Sequence, residues 1–131
     1  MAKRILMVED DKMLCTIFQM FIQELDYELV GMVRTGQDAL NAVDTYQDID
    51  VVLMDIHLDG DIDGVETAKI MAEKHDIPVV FITGDDRPET IMMATLPNVY
   101  GFITKPLYKR NLGIAVEFAH AKFSKEKKLM K

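Results

Sequence analysis

Five short apolar runs, each closed by a polar residue and each followed by a stretch of helical period, constrain this chain more than any other feature. The first, RILMV over Arg4–Val8, stops at Glu9-Asp10-Asp11. It is too short for a helix and bounded by charge, so it reads as a buried strand. From Met13 the period changes: Leu14, Phe18, Phe21, Ile22 and Leu25 recur at three- and four-residue steps, one face of a helix, with Asp11 as a cap candidate. Glu28–Val33 predicts a second strand, and Gly36 opens a small helix carrying Ala39, Leu40 and Val43. Residues 49–54 (IDVVLM) are apolar, rich in β-branched side chains, and end at Asp55. A polar turn, HLDGDIDG, leads into a helix from about Gly64 with Val65, Ala68, Met71 and Ala72 inward. Pro78 begins a fourth strand, PVVFIT, ending at Thr83, and residues 87–96 predict a short helix. Val99–Thr104 is the fifth strand, ending at Lys105-Pro106. The last helix runs from about residue 107 to beyond Ala119, with Leu112, Ala115, Val116, Ala119 and Phe123 as its buried stripe.

Strands that are apolar on both faces belong in a parallel sheet covered by helices on both sides. Right-handed crossovers then predict an α/β, doubly wound, five-stranded parallel sheet of (βα)5 order in three layers. A length of 131 residues fits one such domain. Residues 1–124 are expected to form it, and 125–131 a lysine-rich tail, either a frayed helix end or the start of a linker. The segment 122–131 holds five Lys against one Glu.

Composition removes several partners. Fifteen Lys plus Arg against twenty-two Asp plus Glu give a net charge of -7, whereas a nucleic-acid surface wants positive potential. No run approaches the roughly 18 apolar residues of a membrane span. The N-terminal MAKRILMVED has four apolar positions before Glu9, so no signal peptide is expected and the cytoplasm is the expected compartment. The single cysteine, Cys15, permits no internal disulfide and cannot alone form a zinc site.

In a sheet of this kind ligands bind outside the carboxyl ends of the strands, where the strand order reverses. The polar residues there are Asp10 and Asp11, Asp55, Thr83 and Lys105. Clustered carboxylates repel one another, so either some keep protons or a divalent cation neutralises them. Oxygen-only ligands suit Mg²⁺, which retains waters. A hydroxyl and an amine beside that cation suit a phosphoryl group. These strand ends carry no Ser, Cys or His, so the nucleophile would be a carboxylate forming an acyl phosphate, with Asp55 on the central strand as the candidate.

Taken together, the acidic pair in VEDD, the aspartate of LMDI, the threonine of FITG and the lysine-proline of FITKP resemble the receiver domain of two-component response regulators, over essentially the whole chain. The resemblance implies the flavodoxin-like receiver fold with Asp55 as phosphoacceptor. It implies that Asp11, Asp55 and the backbone carbonyl of His57 hold Mg²⁺, with Asp10 reaching the ion directly or through water. Lys105 would pair with Asp55 and then with the phosphoryl oxygens. Thr83 would turn to the phosphoryl group, and Phe102, three residues before the lysine, would be the aromatic whose rotamer follows, a role for which Tyr100 is the rival. The Lys105-Pro106 bond would be cis.

The chain departs from the family pattern after Asp55. The fourth position beyond it is Asp59 rather than Pro, and Gly64 comes one residue later than usual, giving a longer loop with Asp59, Asp61 and Asp63. His57 lies beside the acceptor, where a side chain affects water access and so the lifetime of a phosphoaspartate. The same segment, DIHLDGDIDGVE, approximates a calcium loop of the EF-hand type but fails it. His57 occupies a ligand position it fills poorly, and the preceding element is a strand.

The last helix shows more apolar surface than one stripe requires: Ile114 and Phe118 flank it and Tyr108 stands near its start. In the family the face built by the last strand and the last two helices serves dimerisation or output. These three residues are therefore the expected partner surface.

The function implied is a phosphorylation-gated signalling switch. A sensor histidine kinase or histidine phosphotransfer protein would supply the phosphoryl group. A downstream protein or output domain would read the change, and a phosphorylation-dependent homodimer is a further expectation. The domain would catalyse its own phosphorylation and slow dephosphorylation, with no independent metabolic activity. Two rivals stand against this reading: a receiver-like binding module that is never phosphorylated, and a metal-dependent phosphatase with an aspartyl intermediate. The latter needs an acid two residues after the nucleophile, where this chain has His57.

Overall fold

The computed structural model describes residues 2–84 and 96–129. The elements are β1 (Arg4–Val8), α1 (Lys12–Glu24), β2 (Glu28–Val33), α2 (Gly36–Thr45), β3 (Val51–Asp55), α3 (Gly64–Lys74), β4 (Val79–Thr83), β5 (Val99–Thr104) and α4 (Lys109–Leu129). The strands form one sheet in the order β2-β1-β3-β4-β5, with every neighbouring pair parallel. The order reverses between β1 and β3, which opens the crevice at their carboxyl ends.

Alternation along the strands explains the three layers. Leu6, Val8, Val52, Met54 and Phe81 pack with Ala39 and Val43 of α2 and Ala68 and Met71 of α3. Ile5, Met7, Val51, Leu53, Val80 and Ile82 face the other way, onto Phe18 and Ile22 of α1 and Leu112, Val116 and Ala119 of α4. The central strands β3 and β4 are buried along their whole length, as continuous apolar runs require.

The buried face of α3 departs from the sequence reading. On α3 the buried face is Gly64, Thr67, Ala68 and Met71, whereas Val65 and Ala72 are half-buried. Thr67 can be buried because its hydroxyl donates to the Asp63 carbonyl at 2.7 Å. The lysine-rich segment is helix as far as Leu129. The short helix expected at 87–96 falls, but for Leu96, outside the described residues.

Candidate functional site

Residues at or just beyond the ends of β1, β3, β4 and β5 meet at one rim. Asp55 ends β3, 4% exposed, and Thr83 ends β4, 1% exposed. Thr83 pairs in register with Thr104 at the end of β5, and the Lys105 amide donates to the Thr83 carbonyl at 2.9 Å. That bond fixes Lys105 just beyond the strand, and the Lys105-Pro106 peptide is cis. The ammonium of Lys105 reaches back to Asp55 Oδ2 at 2.9 Å, and the His57 amide donates to Asp55 Oδ1 at 2.9 Å.

Beside Asp55 the structure gathers Glu9 and Asp10, with one oxygen from each of the three residues within 4.8 Å of the others. Glu9 is fully buried, and its Oε2 accepts from the amides of Asp10 and Asp11 at 3.1 Å each. Its Oε1 is buried without a hydrogen-bond partner, 4.0 Å from the Lys105 ammonium. Asp10 Oδ2 accepts from the Asp59 amide at 3.1 Å, which ties the acidic loop after β3 to the site.

Asp11 is placed elsewhere. Its exposed side chain is the N-cap of α1, accepting from Met13 N at 2.9 Å and Leu14 N at 3.2 Å. The acidic pair at the rim is thus Glu9 and Asp10, not Asp10 and Asp11: Glu9, at the end of the apolar run, joins Asp10 and Asp55, and Asp11 does not. Of the two roles the sequence offers Asp11, helix cap and rim ligand, the structure shows the cap. A carboxylate spent on the orphan amides of a helix start points along that helix and is unavailable to the rim behind it.

Burial and the neighbouring Asp55 carboxylate push the Glu9 carboxyl up to about 8, against the opposing effects of the Asp11 amide and Lys105. Burial works against the charged form of Lys105, yet the hydrogen bond to Asp55 and the charges of Asp55, Glu9 and Asp11 leave the ammonium above its ordinary value. Among the described residues the pocket thus sets three carboxyl groups against one ammonium. All its donors are oxygens, one of them an orphaned buried carboxylate oxygen, and this set fits a hard divalent cation such as Mg²⁺.

The close approach that builds the rim requires Gly64. Its amide donates to the Ile56 carbonyl at 2.7 Å, and a Cβ there would lie 2.1 Å from the Asp55 carbonyl oxygen. The loop after β3 is thereby closed directly onto the backbone of Asp55.

Phe102 is half-buried against Phe81, with ring centroids 6.1 Å apart. Tyr100 lies on the opposite face of the sheet, packed towards α4. A register shift separates them: Val79 pairs with Val99 but Val80 pairs with Gly101, so Tyr100 is the extra residue of a β-bulge. Tyr108, Ile114 and Phe118 are 60%, 57% and 61% exposed. Ile114 and Phe118 line a groove of about 370 Å³ together with Phe102 and Thr104.

Comparison with known proteins agrees with this geometry. The sequence profile of the response regulator receiver domain matches residues 5–117. The CAI-1 autoinducer sensor kinase/phosphatase CqsS of Vibrio cholerae is 31% identical over 108 residues, covering 79% of this chain and 15% of that protein. The transcriptional regulatory protein PdtaR of Mycobacterium tuberculosis is 26% identical over 121 residues, covering 92% of this chain and 58% of PdtaR. The chain thus spans 15% and 58% of the length of these two relatives. Among solved structures, the signal receiver domain of a modulated diguanylate cyclase from Desulfovibrio desulfuricans superposes with a TM-score of 0.88 at 30% identity, covering 96% of this chain and 99% of that one. The N-terminal domain of a three-domain response regulator protein from Carboxydothermus hydrogenoformans gives 0.85 at 29% identity, covering 95% and 98%.

Proposed function

Given that the chain belongs to the response regulator receiver family and signals by a phosphorylation-dependent change of conformation, we propose that Asp55 is the residue phosphorylated. The observation that carries this assignment is the convergence of Glu9, Asp10 and Asp55 within 4.8 Å, with the Lys105 ammonium on Asp55. Asp55 is the member of the set at the end of the central strand and in contact with the lysine, and Glu9 and Asp10 flank it.

In this reading Glu9, Asp10, Asp55 and the backbone carbonyl of His57 hold Mg²⁺, and Asp11 is reserved for capping α1. Bound there, Mg²⁺ supplies positive charge against the oxygens of the transferring phosphoryl group. The protein's own residues do the rest. An Asp55 carboxylate oxygen attacks the phosphorus of a phosphohistidine, and the P–N bond breaks. The electron pair leaves on the imidazole nitrogen, which takes up a proton, and an acyl phosphate remains on Asp55. Lys105 moves from the carboxylate to the phosphoryl oxygens, and the Thr83 hydroxyl donates a hydrogen bond to the same group. Phe102 follows Thr83 and remodels the groove beside Ile114 and Phe118. Hydrolysis reverses the change when water attacks phosphorus and the Asp55 carboxylate leaves as inorganic phosphate is released. His57 flanks that approach.

The donor is a sensor histidine kinase or a histidine phosphotransfer protein. The reader is a downstream protein, an output domain or a second copy meeting Tyr108, Ile114 and Phe118. Relatives of the chain include a sensor kinase and regulatory proteins. Among the described residues no helix is long and apolar enough to cross a membrane.

Intact mass after incubation with Mg²⁺ and acetyl phosphate tests the assignment. A gain of about 80 Da, one phosphoryl group, is expected in the native chain and is absent from Asp55→Ala and in EDTA. An equal gain in Asp55→Ala would overturn it, and no gain with any donor would favour a binding module that works without phosphate.

A further inference from the structure

Beyond Ala119, the last of its fully buried core residues, helix α4 continues its inward stripe. Phe123, Glu126 and Lys127 are half-buried, whereas Ser124, Lys125 and Lys128 are exposed. The fixed contacts of this stretch converge on one strand and one turn. The ring of Phe123 meets Tyr100 edge-on at 5.7 Å and 83°. The Tyr100 hydroxyl donates to the Glu126 carboxylate. Lys127 Nζ lies 2.9 Å from Asp76 Oδ1 and 5.4 Å over the Phe123 ring. Burial, then Glu126, pushes the Tyr100 phenol up to about 12, so it remains a donor at neutral pH.

Tyr100 owes this position to the bulge. Without the register shift at Val79/Val80 it would share a face with Phe102. With it, one short strand holds Tyr100 in the α4 layer, Phe102 in the opposite layer against Phe81, and Thr104 beside Thr83 at the rim.

We propose that Tyr100 is a latch that holds the last two turns of α4 on the amino-terminal base of the sheet, and that phosphorylation at the rim releases it. The coupling rests on the reading of Asp55 as acceptor. When Lys105 and Thr83 close on a phosphoryl group, the end of β5 is drawn towards the rim. Tyr100 is drawn with it, away from Glu126. The segment 120–129 then loses its aromatic and hydrogen-bonded anchor, and its exposed lysines become free to reorient. The signal is thereby delivered at the base of the sheet as well as beside the phosphorylated residue.

Amide hydrogen exchange of the full chain, read on peptides covering 120–129, tests both parts. Without any phosphodonor, Tyr100→Phe removes one hydroxyl and should speed exchange in 120–129 about three- to tenfold, the equivalent of one net hydrogen bond, with α1 unchanged. Glu126→Ala removes the acceptor from the exposed side of the pair and should do the same. Exchange within twofold of native in both variants would overturn the latch. Mg²⁺ with beryllofluoride, added to the native chain, should slow exchange around residue 55 and speed it in 120–129, with no further gain in Tyr100→Phe. Slowing at 55 with 120–129 unchanged would overturn the coupling alone. No change at either place would overturn the reading of Asp55 and the coupling with it, leaving the latch to be judged by the two variants.

Discussion

At the carboxyl-terminal rim of the sheet Glu9 and Asp55 are buried side by side, while at the amino-terminal base charges of opposite sign meet near solvent. The rings of His75 and His120 meet Asp44 at 2.7 Å and Asp50 at 3.4 Å, and the base carries ion pairs of Lys3 with Glu117 at 3.0 Å, Arg4 with Glu28 and Lys127 with Asp76 at 2.9 Å. Each such pair is worth about 0–1 kcal/mol at an exposed site. Among the described residues the rim has carboxyl groups in excess, an orphaned Glu9 oxygen and a single lysine. The base is held by many small contacts between side chains of opposite kind, although Arg4 Nε is buried there without a hydrogen-bond partner. The rim gives up stability and in exchange holds charge that a cation and a phosphoryl group can complete, the common trade between stability and function.

The largest effect that would sharpen this contrast comes from Gly64→Ala. The new Cβ would meet backbone, not a yielding side chain, at 2.1 Å from the Asp55 carbonyl and 2.8 Å from Ile56 Cα. Urea unfolding should show a loss of about 3 kcal/mol or more, together with impaired phosphorylation. A near-neutral result would mean that the loop after β3 is not closed on the acceptor strand.

Next comes the pH dependence of the metal-free protein. Glu9 is raised from 4.5 unfolded to about 8 folded. Between those values the unfolded chain has lost this proton and the native state retains it, so stability falls as pH rises across the window and levels above it. The size is on the order of a few kcal/mol. Glu9→Gln should flatten the slope in denaturation midpoints taken from pH 5 to 8.5. A native chain whose stability rises with pH over that range would contradict the burial of like charge at the rim.

A smaller effect of the same origin concerns Mg²⁺. At ten times its dissociation constant the ion should add about 1.4 kcal/mol to stability. Its affinity should strengthen with pH through the Glu9 titration, because binding displaces that proton. Calorimetry in buffers of different ionisation enthalpy would count the protons released, and none released would contradict the assignment of Glu9.

The smallest effect is expected at the base. Glu117 accepts from the Tyr27 hydroxyl at 2.7 Å and from Lys3 at 3.0 Å, and these two bonds hold its carboxyl below the ordinary range. Glu117→Gln should cost about 1 kcal/mol or less, diminish in high salt, and leave phosphorylation unchanged. A cost as large as that of Gly64→Ala would erase the distinction between the two ends.

How far the molecule could be read from its sequence depends on what each residue has to do. The five strands were legible because runs buried on both faces have few other uses, and Asp55, Thr83 and Lys105 because a strand end fixes where a side chain emerges. Glu9 was not: Asp11 was legible as a cap candidate, but three adjacent acids do not show which two of them face the rim. The parting of Tyr100 from Phe102 was hidden for a similar reason. Alternation puts residues two apart on one face, and a bulge reverses that with no compositional mark beyond Gly101. Thr67 was missed as an inner-face residue because its burial depends on a local bond to the Asp63 carbonyl rather than on hydropathy.

The most direct test of the rim as a phosphoryl site is to find where the phosphoryl group goes. The native chain, incubated with Mg²⁺ and acetyl phosphate, would be treated with borohydride, which reduces an acyl phosphate to an alcohol, and then sequenced by tandem mass spectrometry. The account predicts homoserine at position 55, and none when EDTA is present. Homoserine at position 10 or 59, or a phosphoryl group on the chain that borohydride does not reduce, would contradict it.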